Sequence, residues 1–83
     1  MELKDLIVGR IYYYLDPRNP PAIKLIKCLT VRLKARIPYL KYAEMQVVGS
    51  EEKIVIDYLW ARQRIFATYH EADHEYSVLC NKD

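Results

Sequence analysis

The sequence predicts a mainly β protein of the α+β class, a small antiparallel sheet followed by a C-terminal amphipathic helix. Three observations lead there. Residues 23–36 alternate: Leu25, Leu29, Val31, Leu33 and Ala35 share one parity, and Lys24, Thr30, Arg32, Lys34 and Arg36 the other. Period two marks a half-buried strand, here with a basic outer face. After Trp60 the period changes. Ile65, Phe66, Tyr69, Ala72, Tyr76, Leu79 and Cys80 recur at three- and four-residue spacing, which is one stripe of a helix from about Arg62 to Cys80. Finally, 83 residues make a single domain, and a chain this short buries only ~60% of its unfolded surface. The sheet is assigned to residues 6–60 and the helix to 61–80.

The elements follow in order. Residues 1–5 are charged and are expected to fray. Arg10-Ile11-Tyr12-Tyr13-Tyr14-Leu15 is rich in aromatic and β-branched residues, so a strand is placed near 9–15. Pro17, Pro20 and Pro21 remove donors and fix φ, so the chain must loop between them. The alternating strand runs near 24–36. Ile26 and Cys28 break its polar parity, which means either cover on both sides or a bulge. A third strand, near 41–48, alternates Ala43, Met45 and Val47 against Tyr42, Glu44 and Gln46. Gly49-Ser50-Glu51-Glu52 is a turn in which Gly supplies a positive φ. Lys53–Asp57 is a short β-branched strand. The expected core is Ile11, Leu29, Val31, Leu33, Met45, Val47, Ile54, Ile56, Ile65, Phe66 and Tyr69. Asp73 falls on the apolar side of the helix. There it requires either a basic neighbour or an overhang of the helix past the sheet.

Ile7-Val8-Gly9-Arg10-Ile11-Tyr12, the long strand after a Pro-rich loop, and the Gly-acid hairpin leading to Asp57-Tyr58-Leu59 resemble a small SH3-like barrel of the Tudor and KOW kind. The resemblance covers residues 6–60. It implies a partial barrel that binds peptides, nucleic acids or partner proteins rather than an enzyme. Fold alone does not assign function.

Charge is the strongest functional signal. Residues 17–43 hold no acid and seven bases, whereas the rest has eleven acids and six bases. A net charge of +2 therefore hides a +7 segment joined to a −5 remainder, a segregation that favours an acidic partner. Arg32, Lys34 and Arg36 form a ladder with ~6.6–7 Å between successive side chains. With Lys24, Lys41, Tyr39 and Tyr42 they make the candidate surface for an acidic partner or for nucleic acid. The first reading is a non-enzymatic interaction module that binds a protein partner or pairs as a homodimer. Its grounds are the segregated charge and the Tyr, Trp and Arg residues that favour interfaces. The alternative is weak, sequence-nonspecific nucleic-acid binding, with tyrosines as stacking platforms.

His70-Glu71-Ala72-Asp73-His74 spells H-E-x-x-H, which on a helix puts both imidazoles on one side. A peptidase also needs a third ligand, and no His or Glu follows Glu75. The more distant alternative is therefore metal binding by His70 and His74 alone. The sequence holds no Ser-His-Asp order, Gly-rich phosphate loop or Cys-x-x-Cys pair, so neither an enzyme nor a cofactor is expected. Trp60 reads as a core plug. Cys28 and Cys80 read as reduced thiols, with a single bridge between them as the alternative. With no apolar leader and no run of ~20 apolar residues, the expected location is the cytoplasm of a cell or of an infected host, away from membranes.

Overall fold

The computed structural model describes residues 1–18, 20–33 and 41–81. A 3-10 turn, Leu3–Asp5, precedes β1 (Ile11–Asp16), β2 (Ala22–Arg32), β3 (Tyr42–Val47), β4 (Lys53–Asp57), α1 (Tyr58–Arg64), β5 (Ile65–Phe66) and α2 (Tyr69–Cys80). The strands form one open sheet in the order β4-β3-β2-β1-β5, with every neighbouring pair antiparallel. The 11-residue β2 pairs with β1 through its first half and with β3 through its second.

A register shift in β2 decides which residues face the core. Cys28 pairs with Met45 and Thr30 with Glu44, leaving Leu29 as the extra residue of a bulge. Such a bulge reverses the inside-outside parity of all that follows. Before it the even residues point inward, and Ile26 and Cys28 are fully buried. After it Val31 takes that side, paired with buried Ala43. Leu25, Lys27, Thr30 and Arg32 therefore share the outer face. The shift lies where the sequence alternation breaks.

The core lies on one side of the sheet. It joins Tyr12 and Tyr14 of β1, Ile26 and Cys28 of β2, Ala43 and Met45 of β3, Ile56 and Ile65 of the later strands, Ala61 of α1, and Leu3 and Leu6. Among the described residues, α2 covers the opposite face over β1, β2 and β5. There Leu15 and Ala72 are buried, and the Tyr13 ring meets Tyr69 edge-on at 5.8 Å.

Several expectations are corrected. The N-terminal residues are not frayed: Leu3 and Leu6 are buried, and the Met1 amino group donates to the Ala61 and Ile65 carbonyls at 2.9 Å. Ile11, Leu33 and Tyr69 are exposed rather than core. Ile11 lies outside because β1 turns its even residues inward. Leu29, Val31, Val47, Ile54 and Phe66 are only half-buried, while Met45, Ile56 and Ile65 are buried as expected.

The single helix is also corrected. It divides at Ile65–Phe66, which instead pair with Tyr14 and Tyr13 of β1. Local signals drive the division. Asp57 caps α1 by accepting from the Trp60 amide at 2.8 Å. Thr68 caps α2 by accepting from the Glu71 amide at 3.3 Å. Thr68-x-x-Glu71 is a helix-start pattern in its own right. Asp73 is exposed, so its carboxylate avoids the cost of burial. Two glycines make the turns. Gly9 (φ +89°) and Gly49 (φ +83°) each sit third in a turn closed by a bond between its end residues, Arg10 N–H to Ile7 and Ser50 N–H to Val47. A type II turn requires positive φ there.

Ile26 and its neighbour Leu25 give the direct check on facing. Ile26 is fully buried and Leu25 is 44% exposed. In urea denaturation, Ile26→Ala is expected to cost about 2–5 kcal/mol, and Leu25→Ala less than about 1 kcal/mol. Similar losses at both positions would contradict this packing.

Candidate functional site

The outer face is read from its cross-strand rows. Arg32 lies opposite Tyr42, and Tyr42 opposite Asp57. In the next row Thr30 faces Glu44, and Glu44 faces Val55. A further row runs Ile11, Lys27, Gln46, Lys53. Arg32 is thus an exposed cation beside a half-buried tyrosine, with the carboxylates of Glu44 and Asp57 on the same face. Lys34 and Arg36, the rest of the expected ladder, and Tyr39 lie outside the described residues.

Lys24 is not brought together with Arg32. Eight residues separate them along β2, roughly 25 Å at strand rise, and the bulge puts them on opposite faces. Lys24 belongs instead to an ion cluster around Asp16, a carboxylate with only 4% of its surface exposed. Its Nζ is 3.0 Å from Asp16 Oδ2. Arg18 donates from Nε and Nη2 to the same oxygen at 2.8 and 2.6 Å, and its backbone N–H donates to Oδ1 at 3.0 Å. That last bond makes Asp16-Pro17-Arg18 an Asx-turn. Arg18 also reaches Glu52 at 3.7 Å, across to the β3–β4 hairpin. Hydrogen bonding to Arg18 holds the Asp16 carboxyl well below the usual carboxylate range, outweighing the opposing effect of burial. This cluster fastens the Pro-rich loop and is structural.

A second group of residues converges at the other end of the core face. Leu33 leaves β2 and Lys41 enters β3, so they bracket residues 34–40. With Glu2, with Leu3 and Lys4 of the N-terminal turn, and with Tyr58 and Arg62 of α1 they line a groove. Its apolar floor is open: Leu33 is 41% exposed and Tyr58 47%. Its rim carries three cations and one acid. Arg62 is held by Glu2 at 2.7 Å, while Lys4 and Lys41 form no ion pair among the described residues. Only Lys41 of this set was legible as a site residue. Leu33 reads as core by parity, and nothing local announces that Lys4, Tyr58 and Arg62 meet it.

His70 and His74 are both exposed on α2, in a shallow depression with Phe66, Glu71 and Glu75. Among the described residues no three His, Cys, Asp or Glu side chains form a group able to hold a metal. Trp60 is half-buried against the core. Its indole N–H donates to the Tyr14 hydroxyl at 3.0 Å, and the Arg64 guanidinium lies 5.2 Å from its ring centre, within cation–π range. Cys28 and Cys80 are both free, one buried and one exposed; burial pushes the Cys28 thiol pKa up. Among the described residues no helix is long and apolar enough to cross a membrane.

The Asp16 cluster has a pH signature. A carboxylate with a depressed folded pKa stabilises the fold above its unfolded value of about 3.9, and that stability is lost as pH falls through the folded value. Asp16→Asn is expected to cost about 1.5–3 kcal/mol at neutral pH, the range for hydrogen bonds to charged groups. The difference from the parent should shrink steadily below pH ~4. Paired urea titrations at neutral and acid pH check both parts. A constant difference across that range would show that the charge on Asp16 is not the source.

Comparison with models of known protein families, with curated protein sequences and with solved structures finds no significant match to this chain.

Proposed function

We propose that this chain is a small non-enzymatic interaction module that takes an acidic protein segment in the groove floored by Leu33 and Tyr58. One observation carries the reading. The open apolar floor is rimmed by Lys4, Lys41 and Arg62, the last paired with Glu2, beside the facing ends of β2 and β3. An exposed apolar patch with a polar rim is the usual form of a protein-binding surface, and a cationic rim selects an acidic partner and speeds its arrival. The reading includes a partial barrel of the Tudor and KOW kind. A long β2 that serves both β1 and β3, and a helical turn that returns β5 to β1, support it. It also includes a cytoplasmic setting, in keeping with two free thiols.

Nucleic acid is the second reading, favoured by Arg32 standing beside Tyr42 on an exposed strand face. Glu44 and Asp57 share that face, and both would repel phosphates. The protein reading is therefore preferred.

Fluorescence anisotropy separates the two. The probes are a short peptide alternating Glu and Leu, its Lys and Leu counterpart, and a single-stranded oligonucleotide. The acidic peptide is expected to bind at low salt and the other two to fail. Lys4→Ala and Lys41→Ala together should weaken binding about tenfold, from ~0.5–1 kcal/mol for each exposed charge. Oligonucleotide binding with a salt slope that falls by ~0.7 per lost phosphate contact, and no peptide binding, would replace this proposal with the second reading.

A further inference from the structure

The two edges of the sheet are unequal. β5 is two residues long and offers little template for another strand. β4 is five residues long, Lys53-Ile54-Val55-Ile56-Asp57, and occupies the other edge. A strand edge with free backbone groups invites pairing unless something blocks it.

The backbone direction at that edge follows from the hairpin. The Val47 amide donates to the Glu52 carbonyl at 2.9 Å. Antiparallel pairing alternates, so Ile54 and Ile56 also turn their backbone groups toward β3, opposite Met45 and Ala43. The amides and carbonyls of Lys53 and Val55 and the amide of Asp57 therefore point outward. The side chains divide in the same rhythm. Ile56 is buried and Ile54 half-buried, while Lys53, Val55 and Asp57 are exposed on the outer face. Val55, at 65%, is the most exposed large apolar residue among those described.

We infer that β4 is the contact through which two copies of this chain form a two-fold dimer, paired antiparallel about Val55. The sequence is complementary to itself in that register and in no neighbouring one. Lys53 lies opposite Asp57 of the second copy, and Asp57 opposite its Lys53. Ile54 lies opposite Ile56 of the second copy, so the two core faces join. Val55 meets Val55 on the axis, where each amide donates to the other's carbonyl. A shift of one residue would set Lys53 against an isoleucine and put core side chains on the wrong face. The end charges, which on many edge strands repel a partner, here attract it. The contact is isologous and closes at two copies. It is argued from the β4 edge and not from the Leu33–Tyr58 groove, so its test is separate from that of the peptide-binding proposal.

Sedimentation over a range of concentrations is the test, with amide hydrogen exchange as the second readout. The mass is expected to rise from 9.9 kDa toward twice that. The Val55 amide, which faces solvent in a single copy, should become protected as concentration rises. Val55→Lys places like charges on the axis and Lys53→Glu sets Glu against Asp57. Each should raise the dimer dissociation constant at least about tenfold, equivalent to ~1.4 kcal/mol. Both positions are exposed, and far-UV circular dichroism would confirm that the variants keep their fold. A monomeric mass at every concentration with a rapidly exchanging Val55 amide would overturn the inference. So would a dimer that neither substitution weakens.

Discussion

The bulge at Leu29 sets the arrangement on which the rest of the sheet depends. β2 is the central strand, and its first half packs under β1 while its second half packs against β3. Its apolar residues change parity midway: Ile26 and Cys28, then Val31. A straight strand would put one set in water. One unpaired residue lets both sets face the same core. It also sorts the cations of β2. Lys24 is carried inward to Asp16, whereas Lys27 and Arg32 remain outside. The basic segment is thus divided between a structural ion cluster and a solvent face.

Two further devices hold the ends of this sheet. At one end, buried Asp16 ties β1 to β2 through Lys24 and fixes the Pro-rich loop through Arg18. At the other, α1 crosses from β4 to β5 and gathers Leu3 and Leu6 beneath it. The Trp60–Tyr14 hydrogen bond links α1 to β1 over the same core. Beside them lie a groove lined by Lys4, Lys41 and Arg62 and an edge strand uncovered among the described residues, two surfaces of different chemistry. We propose an acidic chain for the first and a second copy of this chain for the second.

Parts of this were legible in the sequence, for definite reasons. Lys53–Asp57 reads as a strand because β-branched residues fill its centre and turn residues precede it. The parity break at Ile26 and Cys28 marks the bulge region. β1 could not be oriented, because Ile11, Tyr12, Tyr13, Tyr14 and Leu15 are all apolar or aromatic and period two gives no contrast. The one long helix was misread because Ile65 and Phe66 fit both a helical stripe and a strand. Asp57 and the Thr68–Glu71 pair were the local marks that could have divided it. The groove was legible only at Lys41. It depends on Lys4, Leu33, Lys41 and Arg62 meeting across the fold, and long-range packing leaves no trace at those positions. The self-complementary order of Lys53 to Asp57 was present in the sequence, but it acquires meaning only once β4 is known to be an edge.

The parity reversal in β2 can be tested by thiol reactivity in the folded protein, in a Cys80→Ser background. Cys28 and residue 32 lie four apart, so an unbroken strand would place them on the same face with similar protection. With the bulge, Cys28 is buried and Arg32 exposed. A neutral thiol reagent should modify the thiol introduced by Arg32→Cys at nearly the rate of a free cysteine. It should modify Cys28 orders of magnitude more slowly, through opening of the sheet. Equal protection at the two positions would contradict the bulge and the arrangement that follows from it.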